Sequence, residues 1–191
     1  MKKILFSIFC IPFIICAQSC FRDIWIDIKY AEMTKEERLN HLSDFVTKAK
    51  PITSEDKLWI LIAESTRMSL LPKFKALDLS KEVIQGFEKE LAQINTPTEK
   101  MAAGILAYIY AKVPGWPIGI GSKQKSKEWI EKIKSFDQEA DVAFYLAQAY
   151  FYLDKKEISK NYKEIAIKKY EIECSLYNQG RINELNLLIY S

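Results

Sequence analysis

Apolar side chains recur every three or four residues along most of the chain, which is the spacing that one face of an α-helix requires. Leu39–Val46 and Val83–Ile94 carry such stripes. Leu58–Ile62 and Met101–Val113 are apolar on nearly every side, so these two helices should be buried between neighbours. The pattern predicts an all-α fold of about eight helices, arranged as stacked antiparallel hairpins with short loops.

Polar residues with capping ability mark where several of these helices begin. Thr34 with Glu37 forms a T-x-x-E capping box, in which the hydroxyl and the carboxylate each accept a bond from an otherwise unpaired amide. Thr96 stands before a proline, which favours the first helical position. Ser122 and Asp137 are the N-cap candidates for the helices that follow.

Two segments are less regular than the rest. Phe21–Tyr30 alternates apolar and polar residues as a short strand would, but no second strand is available to pair with it. We therefore expect the start of a helix or a packed arm there. Near the C terminus, Gly180 is expected to end or break a helix, ahead of a short final helix around Leu185.

Residues 1–19 have the parts of a secretory signal peptide. Lys2 and Lys3 precede the apolar stretch Ile4–Ala17, which is too short for a confident membrane span. Cleavage could follow Ala17, or it could follow residue 19 as in a bacterial lipobox, in which Cys20 would carry the lipid. The sequence thus predicts residues 20–191 as a single exported domain, periplasmic or associated with the outer membrane, with a lipid anchor as one alternative.

The cleavage site also decides the state of the cysteines. Cys10 and Cys16 leave with the leader by either route. Lipidation of Cys20 leaves Cys174 alone, whereas cleavage after residue 17 keeps both in an oxidising compartment, where they could pair. The sequence leaves both outcomes open.

Helical geometry is interrupted between Val113 and Gly121, where the sequence reads V-P-G-W-P-I-G-I-G. Its two prolines fix φ and remove amide donors, and its three glycines permit either positive φ or close backbone approach. Its tryptophan is large enough to hold the loop against its neighbours. We expect a rigid structural loop formed by Pro114, Gly115, Trp116, Pro117, Gly119 and Gly121.

Little in the sequence points to catalysis or to a cofactor. His41 is the only histidine, and neither C-x-x-C nor H-E-x-x-H occurs, so familiar zinc sites are excluded. The glycine-rich loop lacks the P-loop and dinucleotide-binding patterns. The net charge is only +3, and the lysines of Lys155–Lys169 have the spacing of one solvated helix face. We therefore expect a non-enzymatic protein without metal, cofactor or nucleic acid.

Two hairpins resemble tetratricopeptide repeats (TPR), whose period is about 34 residues. The matching positions are Leu106, Ala107, Tyr110 and Ser126 in one hairpin, and Leu146, Ala147, Tyr150, Ser159 and Ala166 in the next. With the P-G-W-P segment inserted between two helices, residues 96–171 resemble exported bacterial tetratricopeptide-like proteins. The resemblance implies a helical-repeat domain that acts by binding a protein or peptide partner.

Tyrosines are concentrated on two helices that should be adjacent. Aromatic side chains in such positions either fill the core or line a concave groove. For a groove, we expect contacts from Tyr108, Trp116, Tyr145 and Tyr152. The main hypothesis is a protein–protein interaction module at the bacterial cell envelope. The alternative is a small-ligand carrier that serves an envelope transporter, with the P-G-W-P loop closing one end of an apolar pocket.

Overall fold

A computed structural model describes residues 21–115, 117–173 and 175–188. Within these ranges the chain forms nine α-helices and one 3-10 turn, and no strand. The helices are α1 (Phe21–Tyr30), α2 (Lys35–Lys48), α3 (Ser54–Leu70), α4 (Lys73–Glu90), α5 (Pro97–Lys112), α6 (Lys123–Ile133), α7 (Ala140–Tyr152), α8 (Lys156–Tyr170) and α9 (Leu176–Asn186), with the 3-10 turn at Lys134–Phe136. The leader, Cys20, Trp116 and Cys174 lie outside the described residues, as do the predictions of cleavage, lipidation and pairing.

Three of the predicted N-caps are confirmed. The Thr34 hydroxyl accepts a bond from the amide of Glu37, whose carboxylate accepts one from the Thr34 amide. Thr96 forms the same box with Glu99, and Ser122 accepts a bond from the Lys125 amide. These local bonds fix where α2, α5 and α6 begin.

Two other expectations are wrong. Asp137 does not cap α7, because it closes the 3-10 turn through its amide, and α7 begins after Glu139 without a side-chain cap. Gly180 does not break a helix but lies within α9. A Cβ there would overlap the Tyr30 ring, so the glycine serves close helix packing. The ambiguous segment Phe21–Tyr30 is helical.

The hairpins α3–α4, α5–α6 and α7–α8 stack side by side, which confirms the predicted all-α arrangement. The first helices α3, α5 and α7 pack directly on one another and form an inner layer, while the second helices pack outside them. As predicted, α5 is central, and most of its residues are buried.

The α3–α4 hairpin shares a packing feature with the two hairpins that resemble repeats. In each hairpin, a completely buried alanine of the first helix is matched by a completely buried serine of the second. These pairs are Ala63 and Ser80, Ala107 and Ser126, and Ala147 and Ser159. Small side chains let the two helices approach closely, and the Ser159 hydroxyl donates a bond of 2.5 Å to the Ala147 carbonyl. The resemblance to tetratricopeptide repeats in the sequence covers only the last two of these three hairpins.

Candidate binding groove

The N-terminal helix α1 and the C-terminal helix α9 both lie on the inner layer and contact each other. Trp25 of α1 is completely buried. Its ring centre lies 5.5 Å from that of Trp59 in α3 and 6.1 Å from that of Tyr177 in α9. Its indole nitrogen donates a 2.9 Å bond to the Thr66 hydroxyl. One end of the inner face is therefore filled by the chain itself.

A completely buried arginine fixes α9 in this position. The guanidinium carbon of Arg181 lies 4.1 Å from the ring centre of Phe144 and 4.9 Å from that of Tyr145, both on α7. Its nitrogens approach carboxylate oxygens of Asp141 at 3.8 Å and Glu184 at 3.9 Å. Aromatic faces and two carboxylates together offset the cost of burying the cation.

Beside this cluster the inner layer contains a pocket of about 560 Å³, which we call the polar pocket. Its charged and amide side chains come from four different helices: Lys29 of α1, Arg38 of α2, Gln148 of α7, and Asn183 and Glu184 of α9. The ammonium of Lys29 lies 2.8 Å from a Glu184 oxygen.

Burial and neighbouring charges set the ionisation of this pair. Burial lowers the pKa of Lys29 to about 8, and repulsion from Arg181 contributes, while attraction to Glu184 opposes the shift. Burial would raise the pKa of Glu184, but the cations Lys29 and Arg181 bring it below its ordinary value. At pH 7 the pocket therefore presents an ammonium beside a carboxylate.

Arg38 has a structural role at the edge of the pocket. Its Nε donates to the Ile28 carbonyl at 3.1 Å, and its Nη2 donates to the Ala31 carbonyl at 2.8 Å. These bonds satisfy carbonyls at the C-terminal end of α1, which a helix cannot pair internally. Arg38 thus holds the last turn of α1 at the entrance to the polar pocket.

Next to the polar pocket is a second depression of about 550 Å³, which we call the apolar cleft. The side chains that give it this character are Met68, Leu71, Phe74, Leu77, Val113 and Ile118. Both compartments share Ser65, Ser69, Tyr108 and Ile109 as a common wall. The two compartments are therefore adjacent, one charged and the other apolar, and together we call them the groove.

The structure brings together three of the four aromatic residues predicted for a binding face. The Tyr108 ring centre lies 6.4 Å from that of Tyr145 and 5.7 Å from that of Tyr152. Tyr108 lines both compartments and Tyr145 lines the polar pocket, whereas Tyr152 supports Tyr108 from the side. The Lys112 ammonium lies 2.5 Å from the Tyr108 hydroxyl. Trp116, the fourth, lies outside the described residues.

Other tyrosines of the same two helices have different surroundings. The Tyr110 hydroxyl donates a 2.7 Å bond to Glu88 of α4, away from the groove. The Tyr150 ring stacks on Tyr162 of α8 with the two centres 5.6 Å apart. Helical spacing alone therefore did not distinguish the groove tyrosines from those that join hairpins.

The P-G-W-P loop is folded back on the end of α5. The Gly121 amide donates to the Pro114 carbonyl at 3.0 Å, and the Ser122 amide donates to the Tyr110 carbonyl at 3.0 Å. No described glycine has a positive φ, so the loop glycines serve close backbone approach. Val113, Pro114 and Ile118 place the loop at the wall of the apolar cleft.

The described residues offer few features of other site types. His41 is exposed on α2, and no group of three or more His, Cys, Asp or Glu residues in the described ranges could hold a metal ion. None of the described helices combines the length and apolar character needed to cross a bilayer.

No protein-family model, no curated protein and no solved structure matches this chain.

Proposed function

We propose that this protein is a non-enzymatic interaction module of tetratricopeptide-like type, exported to the bacterial cell envelope, which binds an extended polypeptide segment in the groove. The observation that carries the proposal is that the polar pocket and the apolar cleft lie side by side and share four lining residues. Export rests on the signal-like leader in residues 1–19, and the lipid anchor at Cys20 remains its alternative form.

A polypeptide suits the groove because the groove changes character along its length. At one end Lys29 and Glu184 can pair with backbone or polar groups, and at the other Leu71 and Leu77 can bury an apolar side chain. A segment with a polar half and one large apolar anchor matches both ends.

The alternative, a small-ligand carrier, requires an enclosed apolar cavity. The apolar cleft is bounded by Phe74, which is 85% exposed, and Ile118, which is 70% exposed. An apolar compartment with such a solvent-facing rim favours a segment that continues beyond it, so the interaction module is the better-supported function.

The test uses peptides selected from a random display library against the full chain. Tyr108→Ala should weaken their binding at least about tenfold, because a central aromatic side chain of an interface commonly dominates binding. Tyr150→Ala is the matched control, since it removes a half-buried tyrosine of the neighbouring helix that does not line the groove. Affinities would be measured by fluorescence anisotropy on variants with unchanged circular dichroism.

Equal affinity of the wild-type protein and Tyr108→Ala would contradict the groove as the binding site. A small molecule that copurifies with the protein, detected by native mass spectrometry, and that blocks all peptide binding would instead favour the carrier.

A further inference from the structure

Two large apolar side chains are highly exposed at the same end of the molecule. Phe74, in the first turn of α4, is 85% exposed, and Ile118, in the P-G-W-P loop, is 70% exposed. Both line the apolar cleft, so the turn between α3 and α4 and the loop after α5 lie side by side.

Lysines outnumber acidic residues around these two side chains, and Asp78, one turn after Phe74 in α4, is the acidic residue nearest to them in sequence. The chain has no Asp or Glu between Glu64 and Asp78, and none between Glu99 and Glu128. Lys73 and Lys75 flank Phe74 and are exposed, and Lys112 is exposed beside the loop. Among the ion pairs of the described residues, none involves these three lysines. We call Lys73, Phe74, Lys75, Lys112 and Ile118 the tip.

Two other exposed apolar side chains have acidic residues beside them. Ile52 is 86% exposed at the opposite end of α3, and its amide donates a 2.9 Å bond to the Asp56 carboxylate. Ile172 is 79% exposed and stands between Glu171 and Glu173. The tip differs from these two sites because its lysines outnumber Asp78 and none of them forms an ion pair among the described residues.

We propose that the tip is a docking surface for a bilayer that contains anionic lipids. Ammonium groups without a carboxylate partner are attracted to a negative lipid surface, and exposed aromatic and branched apolar side chains enter its interfacial layer. Charge complementarity favours this partner, because a neutral or a basic surface would leave the three lysines without counter-charges. The proposal does not depend on peptide binding in the groove.

The experiment measures the environment of single positions in the full chain, because an apolar leader or a lipid can attach the protein to any vesicle. An environment-sensitive fluorescent amino acid replaces Ile118 in one protein and Ile172 in another. Vesicles of phosphatidylglycerol with phosphatidylcholine are compared with vesicles of phosphatidylcholine alone. We expect a blue shift of emission only at position 118, only with the anionic vesicles, and smaller at high salt.

Charge variants give the second readout. Lys73→Gln with Lys75→Gln should lower the apparent partition into anionic vesicles, followed at position 118, by about tenfold or more. Lys168→Gln with Lys169→Gln, which removes two exposed lysines of α8, is the matched control and should leave it unchanged.

Three results would each overturn the proposal. They are unchanged emission at position 118 with anionic vesicles, an equal shift at positions 118 and 172, and an equal shift with neutral and anionic vesicles. Attachment through the leader alone gives one of these three patterns. Loss of peptide binding in Tyr108→Ala with a retained shift at position 118 would separate this proposal from the groove.

Discussion

Gly121 marks the point at which the P-G-W-P loop touches the helix that it leaves. A Cβ at this position would overlap the carbonyl of Val113, which belongs to the backbone and cannot rotate away. Gly115, six residues earlier in the same loop, has more room, because its Cβ would meet only the Gly121 carbonyl oxygen at 3.3 Å. Gly121 is therefore required for this close backbone contact, whereas Gly115 has room for a small side chain.

This difference predicts unequal effects of the same substitution. Gly121→Ala should lower the free energy of unfolding by about 1–3 kcal/mol, since the new methyl group forces the loop away from α5. Gly115→Ala should change it by less than about 1 kcal/mol. Urea denaturation followed by circular dichroism measures both. Comparable losses in the two variants would show that the loop is not held by this contact.

The sequence could predict a special role for the loop glycines but not which role. A positive φ and a close backbone approach both favour a residue without a Cβ, so the amino-acid sequence alone is compatible with either role. Among the described residues only Asp154 combines a side chain with a positive φ, of 60°, and no glycine has one. The contacts in the structure show that the loop glycines serve close backbone approach, which the sequence alone could not decide.

At the scale of helices, the pairing of α1 with α9 depends on one side chain more than on any other. Trp25 contacts Trp59 and Tyr177 and donates its indole proton to Thr66. Because α1 has only ten residues and buries only this one, it cannot hold its place by backbone bonds alone.

Trp25→Ala should therefore lower the free energy of unfolding by about 3–5 kcal/mol and loosen both helices. Hydrogen exchange followed by mass spectrometry should show faster exchange in α1 and α9 than in α7. Trp129→Ala is the control, because it removes a tryptophan that is 7% exposed on α6 and should leave α9 as protected as α7. Unchanged protection of α9 in Trp25→Ala would refute the coupling of the two helices.

Local sequence signals predicted most helices, and long-range packing explains what they missed. The capping boxes at Thr34 and Thr96 each involve only four consecutive residues, so the helix starts that they define could be predicted from the sequence. The similarity of the α3–α4 hairpin to the other two could not be predicted in this way, because Thr66 stands where the other two hairpins have tyrosine. The contact of Arg181 with Asp141 joins separate segments, and no spacing rule links them.

Across the whole molecule, buried tyrosines make stability sensitive to alkaline pH. Burial is the first cause that raises the pKa of Tyr30, Tyr108, Tyr145, Tyr170 and Tyr177. In the unfolded chain these phenols ionise near pH 10, while the folded protein keeps their protons. The unfolded state therefore binds fewer protons, and stability falls as the pH rises above about 10.

Lys29 has the opposite effect on stability, over a lower range of pH. With a pKa of about 8, it loses its proton in the folded protein between pH 8 and 10.5, where the unfolded chain still keeps it. We expect stability to rise slightly from pH 8 toward pH 10 and to fall steeply above. Urea midpoints from pH 7 to 11, with phenolate absorbance at about 295 nm, test this. Complete tyrosine ionisation near pH 10 in a still-folded protein would contradict it.

The groove as a whole was only half predictable. Tyr108 and Tyr145 stood out because they share two helices that a repeat pattern places side by side. Lys29, Arg38 and Glu184 carried no signal, since each comes from a different helix and each resembles an ordinary surface charge in the sequence. Their meeting depends on α1 and α9 folding over the inner layer, which no pattern of periodicity encodes.

The contact between α1 and α9 also bears on how such a chain can change in evolution. Open arrays of hairpins lengthen or shorten by duplication or loss of a unit, because each unit touches only its neighbours. Here the first and the last described helix touch each other across three hairpins. Insertion of a fourth hairpin between them would separate Trp25 from Tyr177 and Lys29 from Glu184. We therefore expect the contact between α1 and α9 to oppose any change in the number of hairpins.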